Sequence, residues 1–349
     1  MVYEKYMKKC IQLAKLGNTS PNPLVGCVVL DADGNEISNG YHKAYGQNHA
    51  ERDALLKLQN GEEKGGTLIV NLEPCSHFGK TPPCTDLIIE RGIKRVVIGM
   101  LDVNPVVNGI EKLRSAGIEV IQNVLNAECE ELNEVFIKNK KENKTFIAIK
   151  TATTLDGKIA TSSGSSKWIT SEKARDKVKD IRNKYDAIMT SSSTIIADNP
   201  SMIHKTKIIL DRKLQTDLNS KIYQQGEIYV FYDENIINNS SNSSINFIPT
   251  PVNENKLDLS FIFKKAFELG IMSILIESGG ILNGEALEYA DKIYHFIAPK
   301  ITSDNSSKSC YNNRKIYNIN NCLNFKIVHV DNFEPDILLT YYPIFKQTQ

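Results

Sequence analysis

This sequence is short of the signals that usually settle a function quickly. Its 349 residues include one tryptophan and six histidines. It has no run of about 18 apolar residues, so nothing in it reads as a membrane span. The charges nearly cancel, 42 Lys and Arg against 41 Asp and Glu, a formal net charge of +1. No strong field is therefore available to draw in nucleic acid or an anionic membrane. No G-x-G-x-x-G follows a strand-like run, so the usual dinucleotide fingerprint is missing. No internal repeat relates the two halves. Seven cysteines, an odd number, are scattered along the chain. The opening stretch MVYEKYMKKCIQLAKLG reads as a charged amphipathic helix and not as a signal peptide. Reduced thiols in a cytoplasmic protein are the expectation.

What is present is ordinary α/β patterning. The length favours two domains. LVGCVVLD (24–31) and EISNGYH (36–42) flank an Asp33-Gly34 turn and predict a hairpin. AERDALLKLQ (50–59) has helical spacing, GTLIVNLEP (66–74) is a buried-strand run, and CTDLIIERGI (84–93) predicts a helix stopped by Gly92. RVVIGMLD (95–102) and GIEKLRSAGIEVI (109–121) continue the rhythm of a sheet with helices packed on it. KNKKENKTF (138–146) is polar and aperiodic, a linker or helix end. It divides the chain into expected domains 1–144 and 145–349. Beyond it, FIAIK, DAIMTS, KIILD, IYVFYD, MSILIE and KIYHFIA read as strands. SEKARDKVKDIRNKY, LDLSFIFKKAFELG and ILNGEALEYA read as helices. NIINNSSNSS (235–244) and SDNSSKS (303–309) read as surface loops.

Against this background the stretches NHAERDAL (48–55) and NLEPCSHFGKTPPC (71–84) stand out. His49, Cys75 and Cys84 are zinc ligands by chemistry, and three protein ligands leave a fourth position for water. Zinc lowers the pKa of that water to about 7, and a carboxylate must then carry its proton to the leaving group. Glu51 suits that role. Residues i and i+2 do not share a helix face, so His49 and Glu51 can meet one ion only at a helix start. Cys84 likewise opens a predicted helix, where the dipole favours thiolate. His-x-Glu followed by Pro-Cys is the zinc nucleobase deaminase pattern. Here, however, residues 76–83 loop out between the two cysteines, bringing His77 and Lys80 near the metal. A closed structural site, with His42 or His77 as fourth ligand, is the alternative, and it leaves Glu51 without a purpose.

Taken with TSPNPLVGCVV (19–29), DVNPVVNG (102–109), IKTATTLDGKIAT (149–161), GSSKWITSEKAR (164–175) and IESGG (276–280), these motifs resemble the bifunctional riboflavin-biosynthesis deaminase/reductases along nearly the whole chain. The resemblance implies a cytidine-deaminase-like three-layer domain followed by a dihydrofolate-reductase-like α/β domain. It implies deamination of 2,5-diamino-6-ribosylamino-pyrimidinone 5'-phosphate, then NADPH reduction of its ribosyl group to ribityl. One Zn2+ per chain would sit on His49, Cys75 and Cys84, with Glu51 catalytic. Asn22, His42 and His77 would contact the substrate. In the second domain the resemblance assigns Ala152, Trp168, Thr194, Asp198, Arg212, Gly279 and Gly280 to NADPH. It assigns Ser166, Arg182, Met202, Lys205 and Glu277 to the substrate, and Lys150, at a strand end, is read from its position as a further substrate contact. Arg182 would clamp the phosphate with its fork. Lys205 stands where the family commonly has Arg, a point charge in place of a fork. From the residues alone, Gly279-Gly280 between a strand and a helix is either a phosphate cradle or an ordinary tight turn. The partner expected is a small phosphorylated pyrimidine, neither nucleic acid nor a membrane, with a homo-oligomer left open. The alternatives are a nucleic-acid base deaminase with a C-terminal binding domain, a zinc-stabilised scaffold, and a deaminase with an inactive reductase half.

Overall fold

The structure, a computed structural model, describes residues 2–59, 61–79, 81–238, 242–312 and 315–344. The chain divides into two compact units, Met1–Asn143 and Lys144–Gln349.

In the first unit the helices are α1 (Val2–Ala14), α2 (Ala50–Leu55), α3 (Cys84–Glu90), α4 (Gly109–Ser115), α5 (Asn126–Leu132) and α6 (Glu134–Glu142). The strands are β1 (Gly26–Leu30), β2 (Glu36–Tyr41), β3 (Thr67–Leu72), β4 (Arg95–Met100) and β5 (Glu119–Ile121). They form one sheet in the order β2-β1-β3-β4-β5. β1 runs antiparallel to both neighbours, and β3, β4 and β5 run parallel. Two glycines show how the layers stack. A Cβ on Gly26 would meet the Cys10 carbonyl of α1, and one on Gly40 would meet the backbone of α2 at Ala50 and Ala54. Gly40 pairs with Cys27, the residue after Gly26. Successive strand residues face opposite ways, so α1 and α2 cover opposite faces of the sheet. The interior between them is apolar, from Met7 and Cys10 through Val28, Ile69 and Ile98.

The second unit holds a nine-stranded sheet. Its strands and those of two small ribbons are β6 (Phe146–Thr154), β7 (Lys158–Ala160), β8 (Ala187–Ser191), β9 (Thr206–Leu210), β10 (Glu227–Asp233) and β11 (Ile245–Thr250). They continue with β12 (Val252–Asn253), β13 (Lys256–Leu257), β14 (Ser273–Ile276), β15 (Lys292–Ala298), β16 (Lys308–Ser309), β17 (Asn324–Phe333) and β18 (Asp336–Ile344). The helices are α7 (Glu172–Arg182), α8 (Ser192–Asp198), α9 (Leu259–Glu268) and α10 (Gly280–Ala286). The large sheet has the order β11-β10-β9-β8-β14-β6-β15-β18-β17. From β11 to β15 every pairing is parallel, and β18 and β17 close the edge as an antiparallel hairpin. Parallel strands buried on both faces explain runs such as AIM, IIL and ILI, which are apolar without alternation.

Several elements differ from expectation. α2 stops at Leu55, well short of residue 59. The polar 138–146 stretch is the end of α6, which runs to Glu142. SDNSSKS is not all loop, since Lys308 and Ser309 pair with β7 as β16. In NIINNSSNSS, residues 239–241 lie outside the described residues. α5, β11 and the β17–β18 hairpin had no reading in the sequence.

Candidate active sites

In the first unit the reactive residues sit where strands hand over to helices. His49 is the N-cap of α2, with extended backbone, and Glu51 lies in the first turn. Cys84 is the first residue of α3. Cys75 follows β3 across Glu73 and Pro74. The His49 Nδ1 lies 3.5 Å from Cys75 Sγ and 3.5 Å from Cys84 Sγ. The three ligand atoms all fall within 4.8 Å of one another. Bonds of the usual Zn–N and Zn–S lengths at a tetrahedral angle place nitrogen and sulfur about 3.6 Å apart, so the donor set fits zinc. Among the described residues no other His, Cys, Asp or Glu joins the cluster.

The closed alternative fails on His42. Its Nδ1 pairs with the Asn48 carbonyl at 2.9 Å and its Nε2 with the Asn22 amide at 3.1 Å. An amide N–H donates only to a bare ring nitrogen, so Nδ1 carries the proton and both nitrogens are used. Burial lowers the His42 pKa and favours this neutral form. Its ring meets that of His49 edge-on at 5.4 Å. His77 has a buried Nδ1 with no hydrogen-bond partner among the described residues, and Lys80 lies outside them.

The electrostatics of the cluster divide its groups. The Cys84 thiol donates to Cys75 and brings the Cys75 pKa down to about 4. Cys84 moves the opposite way, raised by that bond and by burial. His49 is raised, chiefly through its contact with Cys75. Glu51 is 3% exposed, and burial raises its carboxyl above the ordinary range, with Cys75 adding to the effect.

Two residues that the sequence did not flag support this cluster. Thr81 Oγ1 lies 3.4 Å from His49 Nε2, the nitrogen facing away from the sulfurs. Such a partner fixes the ring of a metal-binding histidine. Glu73 is buried, and its carboxylate accepts from the backbone N–H groups of Gly109 (2.8 Å), Ile110 (3.1 Å) and Asp102 (3.3 Å). It ties the DVNPVVNG segment to the Pro74-Cys75 turn. A Cβ on Gly109 would lie 2.0 Å from the Pro74 carbonyl oxygen.

In the second unit a cavity of about 1110 Å³ opens at the carboxyl ends of the parallel strands. That is where α/β sheets bind ligands, and the size is at the upper end for such sites. It is lined by Ala152, Trp168, Thr194, Asp198, Arg212, Gly279 and Gly280 from the cofactor set. Lys150, Ser166, Arg182, Met202 and Glu277 from the substrate set line it too. Lys205 does not. It precedes β9, at the amino end of the strand, where its Nζ lies 3.9 Å from Asp186, whereas Arg212 follows the carboxyl end of the same strand.

Arg182 also differs from expectation. Its fork is already occupied by Glu277, with Nε to Oε1 at 2.5 Å and Nη2 to Oε2 at 3.0 Å. Lys150 Nζ approaches the same carboxylate at 3.4 Å. Burial works against the Glu277 charge, but Lys150 and Arg182 outweigh it and hold the carboxyl below its usual value. The two glycines have separate reasons. A Cβ on Gly280 would lie 2.1 Å from the Ser309 carbonyl oxygen, so packing demands glycine there, while Gly279 faces open space. Beside them, Ser278 Oγ meets Ser191 Oγ at 2.8 Å and Thr194 Oγ1 at 3.2 Å, a hydroxyl cluster no motif announced.

Comparison with known proteins agrees with this division. Residues 1–100 match the cytidine and deoxycytidylate deaminase zinc-binding region, and residues 145–339 match the RibD C-terminal domain. The riboflavin biosynthesis protein RibD of Actinobacillus pleuropneumoniae is 38% identical over 358 residues, covering 97% of this chain and 95% of that protein. A similar structure is the diaminohydroxyphosphoribosylaminopyrimidine deaminase/5-amino-6-(5-phosphoribosylamino)uracil reductase of Thermotoga maritima. It has a TM-score of 0.88 and 38% identity, covering 98% of this chain and 99% of that one. RibD of Acinetobacter baumannii gives a TM-score of 0.86 at 31% identity, covering 99% of each chain. This chain therefore belongs to the RibD family of riboflavin biosynthesis, and it joins a zinc-dependent aminopyrimidine deaminase to an NADP-dependent reductase.

Proposed function

We propose that His49, Cys75 and Cys84 hold the zinc ion and that Glu51 moves the proton in deamination of the phosphorylated diaminopyrimidine. Zinc held there would acidify a water to a pKa of about 7 and make hydroxide available at neutral pH. Oxygen adds at the carbon that carries the exocyclic amine, the C–N bond breaks, and ammonia leaves. Glu51 takes the proton from water and delivers it to the departing nitrogen. Its burial supports this, because a carboxyl raised above its ordinary range holds a proton more readily between the two transfers. Asn22 and neutral His42, fixed to each other, orient the pyrimidine. His77 faces the anionic end of the substrate.

For the second step we assign Ala152, Trp168, Thr194, Asp198, Arg212, Gly279 and Gly280 to NADPH. Lys150, Ser166, Arg182, Met202 and Glu277 take the substrate. Bound there, NADPH would supply the hydride for ribosyl C1. Glu277, ion-paired to Lys150 and Arg182, accepts from substrate hydroxyls, and the net positive charge of the three favours the phosphate. Lys205, at the far end of its strand, has no part in this scheme.

The single observation that carries the reading is the three-donor cluster, two donors at helix starts and Cys75 in the turn after β3, with buried Glu51 two residues past the histidine. Its test is one assay of the pathway substrate, following NADPH oxidation with and without a zinc chelator. Glu51→Gln that deaminates at the wild-type rate would refute the proton assignment. A cytoplasmic location suits seven cysteines none of which forms a disulfide. No helix among the described residues is long and apolar enough to cross a membrane. Self-association is proposed at β17, an edge strand that exposes Ile327, Val328 and Val330. Light scattering on the purified chain tests it.

A further inference from the structure

The loop before α7 holds a contact that neither assigned set explains. Trp168 adopts φ of +65°, the left-handed region, which is costly for a bulky side chain. A conformation of that kind persists only when its surroundings impose it. The surroundings here are specific. Lys300 Nζ donates to the Trp168 carbonyl at 2.6 Å. The Arg175 guanidinium lies over the indole, 4.1 Å from the ring centroid, and Arg175 Nη1 donates to the Thr170 carbonyl at 2.8 Å. Arg175 thus grips both the indole and the chain two residues further on. Trp168 is nonetheless 65% exposed, so stacking covers only part of the indole. Both residues line the cavity of the second unit.

We propose that Arg175 is a positioning residue for the reduction: it holds the Trp168 indole in place at the cavity so that the cofactor meets a fixed plane. The proposal rests on the assignment of Trp168 to the cofactor made above. Arg175 lowers the ordering needed when cofactor binds, and its effect passes through Trp168.

The test uses the full chain with Arg175→Ala and Arg175→Lys. Trp168 is the sole tryptophan, so its fluorescence reports its own freedom. Arg175→Ala is expected to lower the fluorescence anisotropy in cofactor-free protein and to raise the KM for NADPH about fivefold, with kcat changed less than twofold. Arg175→Lys keeps the charge and loses the plane, and it is expected to recover less than half of that loss. Should the alanine variant melt early, the lysine variant carries the test. In a Trp168→Ala background, Arg175→Ala is expected to add nothing. Unchanged anisotropy overturns the proposal. So do additive KM penalties, which would mean the guanidinium acts on the cofactor directly. If anisotropy falls but neither Trp168→Ala nor Arg175→Ala alters KM, the assignment of Trp168 to the cofactor is what fails, and the proposal falls with it.

Discussion

The two halves of this enzyme handle polar groups in opposite ways. The proposed deaminase site is local: His49, Glu51, Cys75 and Cys84 span 36 residues, and the chain supplies both the metal donors and the proton carrier. The reductase cavity gathers side chains from residue 150 to residue 280 and beyond, and the cofactor carries the hydride. In the first half a carboxyl is buried and pushed toward its neutral form. In the second, Glu277 is equally buried but stays charged because two cations face it. Similar burial yields opposite shifts, as suits the proton carrier proposed for Glu51 and the charge anchor proposed for Glu277.

That contrast can be broken most forcefully by removing the metal. Chelation is expected to stop deamination altogether, while NADPH oxidation on the already deaminated substrate continues. Loss of both activities would show that the halves are not chemically separate. Next in size is Glu51→Gln. We expect kcat for deamination to fall about 10³-fold, with zinc content by atomic absorption unchanged and reduction unaffected.

Glu277→Gln probes the other side of the comparison. It leaves Lys150 and Arg182 near a neutral amide, and breaking a buried pair costs about 3 kcal/mol. The second unit should melt several degrees earlier. The sign with pH follows from the depressed carboxyl. The stabilisation from Glu277 is complete above its unfolded pKa of about 4.3 and is lost as pH falls through the lower folded value. Acid titration of the melting temperature should therefore fall less steeply in Glu277→Gln than in the wild type. The smallest effect belongs to Lys205→Ala, where kcat/KM for reduction should stay within about twofold, because its side chain is 61% exposed beside Asp186 at the amino end of β9. A tenfold loss would return Lys205 to the substrate site.

The same contrast explains how much the sequence revealed. His-Ala-Glu and Pro-Cys with Pro-Pro-Cys were legible because metal chemistry uses few residue types at short spacing. The helix starts at His49 and Cys84 followed from the geometry that chemistry requires. Thr81 and Glu73 were not legible. A threonine has no signature until a ring nitrogen is found beside it, and Glu73 acts on a backbone segment about 30 residues away. Arg182 was read as a free clamp because an ion pair across 95 residues leaves no local pattern. Lys205 came from alignment with a motif, which records order along a strand but not which end opens on the cavity. The parallel core strands were clear from their unbroken apolar runs, whereas the exposed β17 offered too little apolar contrast.

The contact between Gly109 and the Pro74 carbonyl has one more consequence. A single methyl at position 109 would press on Pro74, the residue directly before the proposed zinc ligand Cys75. Random mutagenesis should thus score a position with no functional group as intolerant to every replacement.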